Sequence, residues 1–83
     1  MKPNPKHKVI SQPRWLKAGV RVRILPLKRM PRDEQQVKVG KVGVVRDIEK
    51  WPDREGNRGA NITFGGKFYS LFFYFDELKE EKE

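Results

Sequence analysis

The stretch Phe64–Leu78, FGGKFYSLFFYFDEL, decides how the chain reads. Seven of the nine aromatic residues lie in it: Phe64, Phe68, Tyr69, Phe72, Phe73, Tyr74 and Phe75. Gly65-Gly66 is a two-residue hairpin signal, because a type I′ turn needs φ > 0 at both central positions. An antiparallel strand with one buried face alternates apolar with polar residues. Here only Lys67 and Ser70 interrupt the apolar run, so the strand carries more aromatic surface than one face can bury. Tyr69, Leu71 and Phe73 fall on one face and Phe68, Phe72 and Tyr74 on the other. The spacing leaves open which face is buried. The surplus predicts an aromatic docking surface.

Upstream, Ala60–Phe64 (ANITF) alternates, with Ala60, Ile62 and Phe64 predicted inward. Val20–Leu25 alternates too: Val20, Val22 and Ile24 face one way, Arg21 and Arg23 the other, and Pro26 ends the strand. Gly40–Ile48 (GKVGVVRDI) is a further strand, whose glycines suggest a bulge or a close backbone approach. Val42, Val44 and Val45 are expected in the core, with alternation slipping at Val44-Val45. Asp76–Leu78 is predicted to turn once and to place Leu78 in the core. Strands at 20–25, 41–48, 60–64 and 67–74, with a fifth after that turn, describe an all-β fold. The expectation is a small SH3-like antiparallel barrel of about five strands.

Two connections stand out. Leu27–Val39 (LKRMPRDEQQVKV) is long and polar, and a loop of that length is usually functional or disordered. Pro31 blocks a helix across its front, while Asp33–Gln36 has room for one helical turn. Glu49–Gly59 (EKWPDREGNRG) is a hairpin loop carrying Trp51. The simpler expectation is that Trp51 packs back on the barrel edge; the alternative is that it contacts a partner, as tryptophan often does. Residues 1–14 read as a flexible basic arm, 15–80 as the barrel and 81–83 as a frayed acidic tail, within an acidic, frayed end from Lys79.

Composition removes whole classes of chemistry. There is no cysteine, hence no disulfide, thiolate nucleophile or zinc-finger-type site. The single histidine, His7, reads as a solvated residue of the arm. Ser70 has no histidine nearby in sequence, Ser11 has only the arm's His7, and Asp33/Glu34 and Asp76/Glu77 are explained by ion pairs with neighbouring cations. No phosphate-binding glycine pattern is present. No apolar run approaches the ~20 residues of a membrane span, and no secretory h-region is seen. The reading is a non-enzyme, with no catalytic, cofactor-binding or metal-binding residue.

Charge points to a binder. The formal net charge is +8, with ten Lys/Arg and no acid in residues 1–32, against nine Lys/Arg and eleven Asp/Glu in 33–83. A basic front half attracts nucleic acid, an anionic membrane surface or an acidic protein. Under the nucleic-acid reading, Arg21, Arg23, Lys28, Arg29 and Arg32 meet phosphates and aromatics stack on bases. Val37–Ile48 (VKVGKVGVVRDI) has a weak likeness to the KOW motif of ribosomal and transcription factors. Under the protein-docking reading, an aromatic centre is rimmed by those cations. The candidate partner-binding residues are Arg21, Arg23, Lys28, Arg29, Arg32, Trp51, Tyr69, Phe72 and Tyr74.

Three stretches, Ala18–Leu27 (AGVRVRILPL), Val37–Ile48 and Phe72–Glu80 (FFYFDELKE), resemble the PetP family. These are small, peripheral SH3-like subunits of the cyanobacterial cytochrome b6f complex. The residues that carry the resemblance are Gly19, Val20, Val22, Gly40, Val42, Gly43, Val45, Ile62, Phe64, Phe72, Phe73, Asp76, Glu77 and Leu78. It spans residues 18–80. The basic arm, and Tyr74-Phe75 where an acidic residue is common, depart from the family pattern. The resemblance implies a non-catalytic accessory subunit, monomeric when free and without a cofactor. It would sit on the cytoplasmic face of the thylakoid membrane, touch cytochrome b6f subunits, and stabilise the complex or regulate photosynthetic electron flow; the basic front half adds an anionic lipid surface as a candidate partner. The photosystem I subunit PsaE and the NdhS subunit of the NADH-dehydrogenase-like complex share single motifs, so accessory subunits of those complexes are alternatives, as is a KOW-like RNA- or ribosome-binding protein.

Overall fold

The computed structural model describes residues 11–65 and 69–82. Five strands form one antiparallel sheet: β1 (Arg21–Ile24), β2 (Val42–Ile48), β3 (Gly59–Thr63), β4 (Ser70–Tyr74) and β5 (Leu78–Glu80), in the order β4-β3-β2-β1-β5. A single helical turn, α1 (Asp33–Gln36), interrupts the long first loop, and Phe75–Glu77 forms a 3-10 turn between β4 and β5. That turn explains the shape. It carries the chain from one edge of the sheet to the other in three residues, which rise only ~2 Å each in 3-10 form. The edges of a flat five-stranded sheet would lie on the order of 19 Å apart. The sheet must therefore curl until its edges approach. They are not hydrogen-bonded to each other among the described residues, so the all-β fold of five antiparallel strands expected from the sequence is a curled open sheet and not a closed barrel.

The curl encloses Leu16, Val22, Ile24, Val45, Ala60, Ile62, Leu71, Phe73, Phe75 and Leu78. Val22 and Ile24 are inward, and Arg21 and Arg23 lie on the opposite phase of β1, as their alternation required. The aromatic strand buries Leu71 and Phe73 and leaves Phe72 and Tyr74 half-buried on the other side, which resolves the ambiguity between its faces.

β2 departs from expectation. Gly43 and Val45 hold the inward positions, while Val44 lies outward, 39% exposed, opposite Arg21 and Thr63. The reason is space. A Cβ on Gly43 would sit 2.5 Å from Ile62 Cγ2 and 2.7 Å from the Thr63 carbonyl oxygen. The irregularity falls further on, between Val45 and Asp47, so Arg46 and Asp47 are both outward.

The end of the chain also differs. Instead of fraying from Lys79, it forms β5, and the Glu81 N–H donates to the Arg21 carbonyl at 3.0 Å. Residues 1–10 of the proposed arm, with His7, lie outside the described residues, as do Gly66, Lys67, Phe68 and Glu83.

Candidate docking site

The long first loop is built to lie against β4. Arg29 turns inward and donates two hydrogen bonds to the Asp76 carboxylate, Nη1 to Oδ1 at 2.8 Å and Nη2 to Oδ2 at 3.0 Å. Its guanidinium also lies 4.3 Å from the centre of the Tyr74 ring. Glu77, a buried carboxylate, accepts the Lys28 N–H at 3.2 Å and the Tyr74 N–H at 2.9 Å. Gln35 is the second brace. Its Oε1 accepts the Arg32 N–H at 2.8 Å, and its Nε2 donates to the Phe72 carbonyl at 2.7 Å. Gln35 and Glu77 thereby occupy backbone groups on the free edge of β4, the groups through which an edge strand would otherwise recruit another chain.

The second loop is tied to the same place. Asp53 Oδ1 accepts the N–H groups of Glu55 and Asn57, each at 2.9 Å, and its Oδ2 accepts the Tyr74 hydroxyl at 3.0 Å. Tyr74 thus joins both loops, with Phe72 edge-on at a ring separation of 5.0 Å. The ionisations follow from these contacts. The Arg29 hydrogen bond holds the Asp76 carboxyl below its ordinary value, and the Asn57 N–H does the same for Asp53. Burial, followed by the Asp53 hydrogen bond, pushes the Tyr74 hydroxyl up.

The nine candidate residues are only partly brought together. Arg29, Arg32, Tyr69, Phe72 and Tyr74 gather around the first loop and β4. A shallow groove of about 410 Å³ runs beside β4, lined by Arg32, Gln35, Asn61, Tyr69 and Phe72 among others. Tyr69 is 50% exposed at its rim, and its hydroxyl donates to Glu34 at 2.9 Å, which pushes it up. Lys28 points outward, its ammonium 4.0 Å from Asp76. Trp51 is 82% exposed, so it does not pack back on the sheet as expected. Arg21 and Arg23 lie apart, on β1 beside β5. Arg23 is engaged structurally: it donates to both Glu81 oxygens, at 2.9 and 2.7 Å, and to the Gly40 carbonyl.

Sequence reasoning missed Gln35, Asp53 and Met30. Met30 is fully exposed between Lys28 and Arg32. Its signal was a lone apolar residue inside the basic run Lys28–Arg32. Gly59 was a further signal, since a Cβ there would collide with the Phe72 ring; its absence seats Phe72 on the outer face.

Among the described residues no group of His, Cys, Asp and Glu is placed to hold a metal ion, and no helix is long and apolar enough to cross a membrane. Comparison with known proteins finds no matching family model, no similar curated protein and no similar solved structure. The likeness to the PetP family therefore rests on the motif residues themselves.

Proposed function

We propose that the chain is a non-catalytic accessory module that docks on the cytoplasmic face of a membrane-bound electron-transfer complex, cytochrome b6f in the family it resembles. There it stabilises the complex or adjusts photosynthetic electron flow. The observation that carries this reading is the groove beside β4. Tyr69, Phe72 and Arg32 line it, residue types enriched at protein interfaces. The β4 edge is partly covered by Gln35 and Glu77, so a partner is met through side chains rather than by strand addition. The motif residues over 18–80 supply the choice of complex.

The test is affinity capture from detergent-solubilised cyanobacterial thylakoid membranes at low salt, read by haem absorbance and nucleic-acid content. Haem of the b and c types is expected in the eluate, diminished for Tyr69→Ser and Phe72→Ser. Nucleic acid without haem would refute the proposal and favour the KOW-like reading.

A further inference from the structure

The two most exposed large apolar side chains of the described residues, Met30 and Trp51, sit on the two loops that meet at Tyr74. Neither loop is slack. Arg29, next to Met30, is fixed by Asp76, and the backbone of Lys28 is held by Glu77. Asp53, two residues beyond Trp51, closes its turn with two backbone N–H groups. The chain therefore braces loops whose apolar side chains are left in water.

Cations flank both. Lys28 and Arg32 bracket Met30, their side chains 67% and 83% exposed, and the exposed Lys50 and Arg54 bracket Trp51. Most nearby carboxylates are turned to partners inside the protein: Asp53 to Tyr74, Asp76 and Glu77 to Arg29, Glu34 to Tyr69 and Arg32. Asp33, Glu49 and Glu55 are the exposed acids that remain beside these four cations, and Glu49 accepts a hydrogen bond from Asn61 Nδ2. A tryptophan and a methionine fit a bilayer interface, where amphipathic rings settle at headgroup depth. Basic side chains around them fit an anionic leaflet, which attracts Lys and Arg within a Debye length. The net charge of +8 acts in the same direction at longer range.

We propose that the loops bearing Met30 and Trp51 are a membrane-contacting edge. The two side chains enter the headgroup region of an anionic lipid surface, and Lys28, Arg32, Lys50 and Arg54 meet its phosphates. The inference rests on the docking reading and deepens it by assigning the contact with an anionic lipid surface to two named loops. Arg32 is common to the β4 groove and this edge, so a module held by the groove keeps the loops close to the bilayer.

The experiment uses the purified full chain and vesicles of equal parts phosphatidylglycerol and phosphatidylcholine, with pure phosphatidylcholine as the neutral control. Co-sedimentation at low ionic strength is expected with the anionic vesicles only. Lys28→Gln, Arg32→Gln, Lys50→Gln and Arg54→Gln should each weaken binding about fivefold, from ~1 kcal/mol per basic residue at 1.4 kcal/mol per tenfold. Trp51→Ser and Met30→Ser should each weaken it roughly tenfold. In a Trp15→Phe background the emission of Trp51 should move to the blue on vesicle addition. Urea unfolding identifies any variant that fails to fold. Absence of vesicle binding, binding indifferent to Met30 and Trp51, or an unmoved Trp51 emission would each overturn the proposal. If vesicles stay unbound while Met30→Ser and Trp51→Ser weaken capture of the haem complex, these loops face protein instead of lipid. Vesicle binding needs no other protein, so it stands or falls separately from the docking reading.

Discussion

Asp76→Asn tests whether the first loop is held as described. The substitution keeps the shape of the side chain and removes the charge that faces Arg29, whose two hydrogen bonds measure 2.8 and 3.0 Å. Both side chains are 27% exposed, so the pair lies between two reference cases. Exposed ion pairs contribute about 0–1 kcal/mol, and hydrogen bonds to charged groups about 1.5–3 kcal/mol. A loss of about 2 kcal/mol is expected at neutral pH. For a domain of this size that lowers the melting temperature by roughly 8–16 °C.

The pH dependence carries a sign. Because Arg29 holds the folded Asp76 carboxyl below its ordinary value of 3.8, the stabilisation is fully present above that value. It is lost as pH falls through the folded value. Urea unfolding of both proteins between neutral and strongly acid pH should show a gap at neutral pH that closes in acid. A neutral-pH difference under about 0.5 kcal/mol, the ordinary scatter of surface substitutions, would refute the brace. So would a gap that persists undiminished in acid.

Three further outcomes follow from the packing. Gly43→Ala forces a Cβ to within 2.8 Å of Phe64 Cε1 as well as against Ile62, and should cost about 1–3 kcal/mol by urea unfolding. Phe73→Ser, at a position 1% exposed, should lose at least ~3 kcal/mol, whereas Phe72→Ser and Tyr69→Ser should remain folded and lose capture of the complex. If all three unfold the chain, the aromatic surplus is structural. Lys28→Gln and Arg32→Gln should flatten the dependence of capture on ionic strength more than Arg23→Gln, since Arg23 is already neutralised by Glu81. Equal slopes would contradict that division.

Strand phase was legible wherever one phase is apolar and the other polar. Val20–Ile24 and Ala60–Phe64 meet that condition, and the structure follows them. In Val42–Val45 valines occupy both phases, so periodicity could not choose. The bulk of Ile62 and Phe64 across the sheet decided in favour of the glycine. The aromatic strand posed the same problem; there Gly59 leaves room for the Phe73 carbonyl and for the Phe72 ring on the outer face. Trp51 lies in a loop with no period, whose direction is fixed by the Asp53–Tyr74 hydrogen bond between residues 21 apart.

Charge was the hardest quantity to place, because a count along the chain does not see pairing across it. The first 32 residues carry ten basic side chains and no acid, which reads as one basic face. Folding sends acids of the second half against them: Glu81 against Arg23, and Asp76 and Glu77 against Arg29. Each pairing removes a cation from the surface available to a partner and uses it to fix a loop or the last strand. The outward charge beside the aromatic groove then falls to Lys28 and Arg32 around Met30. Their own ion pairs, at 4.0 and 3.7 Å, leave these two side chains 67% and 83% exposed. Lys50 and Arg54 around Trp51 join them, from the half of the chain whose net charge is negative. Attraction to an anionic surface at these two loops should therefore be weakened by a few neutral substitutions that leave the paired arginines, and the fold they hold, in place.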